Sequence, residues 1–89
     1  MDPELQFKEL AQLTQWGSVE TYISEFQRLV VLVIDILERR LVVLFMDGFA
    51  DPLQGWVKGH DPTTLQEATK KARYLAPSLG ANFSIGIHI

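Results

Sequence analysis

The sequence predicts an all-α domain, a compact bundle of about five short helices. Three observations predict it. Helix-start and helix-stop residues recur at short intervals, with Asp-Pro pairs at 2–3 and 51–52 and glycines at 17, 48 and 59. From Val19 to Val33 the apolar residues recur at steps of three and four, the period of an amphipathic helix. Finally, Thr64 and Glu67 have the spacing of a capping box, in which each side chain bonds the other's backbone N–H.

The first helix opens at Asp2-Pro3, because aspartate caps and proline at the first helical position loses no hydrogen bond. Phe7, Leu10, Ala11 and Thr14 are expected to share its inward face. Gln15-Trp16-Gly17 breaks the pattern, and Ser18 caps a second helix carrying Val19, Tyr22, Ile23, Phe26, Leu29, Val30 and Val33. The stretch from Val30 to Leu37 has two readings. It is rich in β-branched residues and fits a buried strand, but the preferred reading is a helix end, a tight turn and a new start at Asp35. Asp35 and Glu38 would form the cap of helix three, with Leu37, Leu41, Leu44 and Phe45 inward, Arg39, Arg40 and Asp47 outward, and Gly48 as the stop. Asp51-Pro52 starts a short helix through Leu53, Trp56 and Val57, closed by Gly59. A turn at Asp61-Pro62 leads to the last helix, with Leu65, Ala68, Ala72 and Leu75 inward and Pro77 as its end. Residues 1–76 thus make the helical domain and residues 77–89 a tail. In the tail Phe83, Ile85, Ile87 and Ile89 alternate with smaller or polar residues, a strand period that suits a flexible end, an edge strand or a foreign segment.

Composition excludes several function classes. With 89 residues the chain suits one domain, and 47% hydrophobic content is too high for a disordered tail. A net charge of −3 gives no basic footprint over the whole surface. The absence of cysteine removes disulfides, thiol catalysis and cysteine-ligated metals, and fits an intracellular, cytoplasmic setting. Met1–Gln12 lacks the pattern of a signal peptide, and the longest apolar run, Leu29–Ile34, is six residues against the roughly 20 a membrane span needs.

No catalytic, cofactor or metal site is expected. The two histidines, His60 beside a turn and His88 in the tail, have no nucleophile or third group to orient them. Glu38 and Glu67 sit at helix starts, and Asp51 and Asp61 precede prolines, where the free N–H groups of a helix end favour carboxylates without any chemistry. Lys70, Lys71 and Arg73 cluster on helix five. A solvated helix face is the plainer reading and a weak RNA contact the other. Trp16 and Trp56 read either as core plugs or as interface anchors, since a chain this small cannot hide every aromatic ring.

Four segments resemble one family. Gln15-Trp16-Gly17-Ser18-Val19-Glu20-Thr21-Tyr22, followed by Phe26 and Leu29, resembles the Gln-x-Gly-Ser-Val-Glu-x-Tyr stretch of the Gag capsid of gypsy-type LTR retrotransposons, above all the plant copies. It is similar to the major homology region of retroviral capsids. Leu41-Val42-Val43-Leu44-Phe45-Met46-Asp47-Gly48-Phe49 resembles the family's Leu-Val-x-x-Phe-x-x-Gly-Leu, with Phe49 in the leucine position. Asp51 to Val57 resembles its Pro-x-Leu/Ile-x-x-x-Val helix, and Thr64 to Arg73 its closing Thr-Leu-x-Glu-Ala-x-x-x-Ala helix. Taken singly these segments are unspecific; together they run in order from about Phe7 to Arg73.

The resemblance implies a fold like the C-terminal domain of retroviral capsids and a self-association module through which capsid subunits dimerise and assemble. It implies that Gln15, Gly17, Ser18, Glu20, Tyr22, Phe26 and Leu29 are a structural brace. The candidate interface residues are Trp16, Val31, Leu32 and Trp56. The expected partner is a second copy or a higher assembly, with no membrane and no small-molecule substrate. The family's N-terminal capsid lobe and RNA-binding zinc knuckle are not among these residues, so this chain alone is not expected to close a shell. The alternative is a domesticated adaptor that holds a protein or peptide partner in a groove between helices.

Overall fold

The computed structural model describes the backbone of residues 3–88 and the side chains of residues 4–77. It contains five α-helices and, among the described residues, no strand: α1 (Pro3–Gln12), α2 (Val19–Val30), α3 (Glu38–Asp47), α4 (Leu53–Gly59) and α5 (Leu65–His88). The all-α class read from the sequence is the class observed.

α2 is the centre of the core because its apolar residues fall on one face: Tyr22, Ile23, Phe26 and Leu29 are all buried. Around them Tyr22, Phe26, Phe45 and Phe49 form a ring cluster with centroids 4.7 to 6.1 Å apart, in tilted, stacked and edge-on pairs. Such pairs add roughly 0.5–1.5 kcal/mol each beyond their buried area. α1 packs on α2, and α3 on α4. α5 lies against α2, α3 and α4, and its fully buried Ala68 and Ala72 let the backbones approach closely. Among the described residues no buried side-chain nitrogen or oxygen lacks a partner; Thr69, for one, donates its hydroxyl to the Leu65 carbonyl at 2.8 Å.

Several expectations are corrected. α1 buries Leu10 together with Gln6, while Ala11 and Thr14 are exposed and Phe7 is half-buried. The helix stops at Gln12, so Thr14 never joins its face, and the face is set by packing on α2. The Asp2 cap lies outside the described residues. Asp35 does not cap α3: its φ of 59° is left-handed, whereas a cap needs extended backbone. That backbone belongs to Leu37, which is 71% exposed rather than inward and offers no side-chain bond. Val42 takes the buried place beside Phe45. In the preferred reading of Val30–Leu37 only the new start at Asp35 fails: Val30 ends α2 and residues 31–37 are turn and loop, as that reading placed them, not a strand. α4 begins at Leu53 with Pro52 as its cap residue, one place too late for the Asp51 side chain to act.

Pro77 does not end α5, which continues to His88. Proline lacks the N–H that would reach the carbonyl of Arg73, a local cost of about 3 kcal/mol, yet its fixed φ is itself helical and the chain carries on. The alternation of Phe83, Ile85 and Ile87 is therefore not used as a strand; Ile89 lies outside the described residues. The boundary expected between residues 76 and 77 falls inside one continuous helix.

Candidate functional site: a braced turn and an uncovered linker

The brace begins at the turn between α1 and α2. Ser18 is extended (φ −70°, ψ 158°), and its Oγ accepts the Thr21 backbone N–H at 3.1 Å, satisfying one of the free donors at the start of α2. Gln15 does more than flank that start. Its backbone N–H donates to the Gly48 carbonyl at 2.7 Å, its Oε1 accepts the Ala50 N–H at 3.0 Å, and its Nε2 donates to the Gly17 carbonyl at 3.1 Å. One residue thereby ties the turn to the loop that follows α3.

Tyr22 makes the second tie. Its hydroxyl donates to the Phe45 carbonyl at 2.8 Å inside the core. Burial, with a smaller push from the Asp47 carboxylate, raises the phenol pKa above its ordinary 10.0. The unfolded chain then loses this proton at a lower pH than the folded one, so stability falls as pH rises beyond about 10. Urea unfolding at about pH 8 and about pH 11 is expected to show that loss, and Tyr22→Phe to shrink it while costing about 1–2 kcal/mol at neutral pH.

Glu20 does not bond the backbone of the turn. Its carboxylate takes two bonds from the Arg73 guanidinium, at 3.0 and 3.2 Å, and joins α2 to α5. Phe26 meets Phe45 edge-on at 4.9 Å, and Leu29 is buried beside it in the core. Sterics do not require a glycine at Gly17, since its φ is not positive and a Cβ there would touch nothing within 4 Å. The crowded glycine is Gly48. A Cβ on it would collide with the Tyr22 hydroxyl and come within 2.6 Å of the Leu13 carbonyl oxygen.

A further tie has no local sequence signal. Glu38, which the Asp35 pairing would have used at its own helix start, instead accepts the Leu65 N–H at 3.1 Å and caps α5. Thr64 completes that cap by accepting the Glu67 N–H at 3.1 Å, one half of the box its spacing indicated; the Glu67 side chain makes no return bond to the Thr64 N–H.

The candidate interface residues are on the surface. Trp16 is 84% exposed and Val31 75%, while Leu32 and Trp56 are each 38% exposed. Val31 and Leu32 do not stand alone: Ile34 and Leu37 are also exposed, so the linker between α2 and α3 presents four large apolar side chains within seven residues. Sequence reasoning singled out the first two and assigned Leu37 to the core, because the false Asp35 cap turned it inward. On α5 the three cations separate. Arg73 is held by Glu20, whereas Lys70 and Lys71 have no carboxylate within 4.0 Å among the described residues.

His60 is exposed at the end of α4, and the His88 side chain lies outside the described residues. Among the described residues no three His, Cys, Asp or Glu side chains gather where a metal could bind, and no helix is long and apolar enough to cross a membrane. Compared with family models, curated proteins and solved structures, the chain matches none.

Proposed function

We propose that this chain is a structural self-association module of the retrotransposon Gag capsid type, working in the cytoplasm of its host cell. The observation that carries the reading is the uncovered linker: Val31, Leu32, Ile34 and Leu37 face solvent on a domain whose aromatic core is already closed. Exposed apolar side chains in such a run gain free energy only when another surface covers them. The all-α fold and the hydrogen-bonded turn at Gln15–Tyr22, where the family resemblance is densest, support the same reading.

The strength of association follows from size. Four partly exposed aliphatic side chains fall short of the roughly 800 Å² per partner of a standard stable interface. The module therefore associates weakly in pairs and gains strength by repetition, as a shell subunit does. The chain contains no cysteine, which gives a direct test. Ile34→Cys treated with a short bis-maleimide is expected to form covalent dimers, and Lys8→Cys to remain monomeric. The adaptor reading rests on a different feature, a recess of about 190 Å³ between α3 and residues 61–63 lined by Arg39, Val42, Val43, Met46 and Pro62. It would be favoured by a protein that stays monomeric and captures a peptide there.

A further inference from the structure

The exposed face of α5 carries a feature that self-association does not use. Tyr74 stands four residues after Lys70 and three after Lys71, both helical neighbour spacings, and with Thr64, Gln66 and Glu67 these three line one open recess of about 660 Å³. Tyr74 is 76% exposed, so its ring lies open to solvent one turn from two ammonium groups. Of the three cations on α5 only Arg73 is paired, with Glu20; Lys70 and Lys71 have no carboxylate partner among the described residues. Lys8, Arg39 and Arg40 are also without one, so what distinguishes the α5 lysines is the exposed Tyr74 ring that shares their recess.

We infer that Lys70, Lys71 and Tyr74 form a contact site for single-stranded nucleic acid. Two unpaired cations attract consecutive phosphates, and a free aromatic face stacks on an unpaired base without reading its identity. A duplex fits this site poorly, because its bases are already stacked on one another and offer no face to Tyr74. Glu67, one turn nearer the start of α5, repels phosphate and confines the backbone path to the lysine end of the recess. Arg73, grouped with the lysines in the sequence, is excluded by its bond to Glu20. The contact does not depend on association through the linker, although an array of modules would strengthen it by repetition.

The test is fluorescence anisotropy of a labelled oligouridylate with the purified protein over a range of salt. The single strand is expected to bind, with a log–log salt slope near −1.4, the value for about two neutralised phosphates on a single strand. Lys70→Gln with Lys71→Gln is expected to abolish that slope, and Tyr74→Ala to weaken binding roughly tenfold while Tyr74→Phe stays within about twofold. Lys8→Gln and Lys58→Gln should leave binding unchanged, and circular dichroism should show every variant folded. Equal or tighter binding of a duplex, or a Tyr74→Ala variant with unaltered affinity, would overturn the inference. So would equal binding of a poly-glutamate peptide, which would mark the face as a dock for an acidic protein. Sedimentation measurements on the same samples keep failure here separate from failure of self-association.

Discussion

Phe45→Ala is expected to destabilise the domain by about 3–5 kcal/mol, read as a lower urea midpoint. Phe45 is 1% exposed and touches three other rings: Tyr22 at 5.7 Å, Phe26 at 4.9 Å and Phe49 at 4.9 Å. Its loss leaves a cavity between α2 and α3 that cannot collapse easily, because Tyr22 is anchored to the Phe45 carbonyl and Phe26 is itself fully buried. A domain of this size holds on the order of 4–13 kcal/mol in total, so the variant loses a large share of it. A midpoint within error of the wild type would mean that the ring cluster does not hold these helices together.

Gly48→Ala carries the next largest effect, about 2–4 kcal/mol. The reason is space, not backbone freedom: Gly48 has φ −81°, a value open to any residue. A methyl group there meets the Tyr22 hydroxyl and the Leu13 carbonyl, and neither can step aside. The first is fixed by its bond to Phe45, and the second belongs to backbone. Removing the hydroxyl should relieve part of the clash, so Gly48→Ala is expected to cost less in a Tyr22→Phe background. The double-mutant cycle would then show coupling of about 0.5–3 kcal/mol. Gly17→Ala, with open space around it, is the control and should shift stability by less than about 0.5 kcal/mol. Equal effects at the two glycines would contradict the brace as described.

These two positions show what was legible in the sequence. Periodicity exposed the core face of α2, and Tyr22, Ile23, Phe26 and Leu29 are buried as the spacing indicated. Local capping chemistry was legible at Ser18 and Thr64, where the bonded groups are three residues apart. What could not be read was any tie between distant parts of the chain. Gln15 bonds Ala50 across 35 residues, and Glu38 caps α5 across 27, so an Asp-x-x-Glu spacing that looked like a local box belonged to two unrelated structures. Both Gly48 and Gly17 read as turn glycines, yet only one is crowded, and the crowding comes from residues far off in sequence. On the surface, Trp16, Val31, Leu32 and Trp56 were legible as exposed candidates. Ile34 and Leu37, and the open ring of Tyr74, emerged only once the helix boundaries were placed.

In the proposed self-association, the bare linker between α2 and α3 is the surface that a second molecule of the chain covers. Sedimentation equilibrium from about 10 µM to about 1 mM spans the dissociation constants of an interface this small. The wild type should rise in mean mass with concentration. A Val31→Ser, Ile34→Ser double variant, unchanged in helix content and urea midpoint, should stay at the mass of one chain. A wild-type protein that remains monomeric over that whole range, or a double variant that associates just as well, would contradict association through the linker.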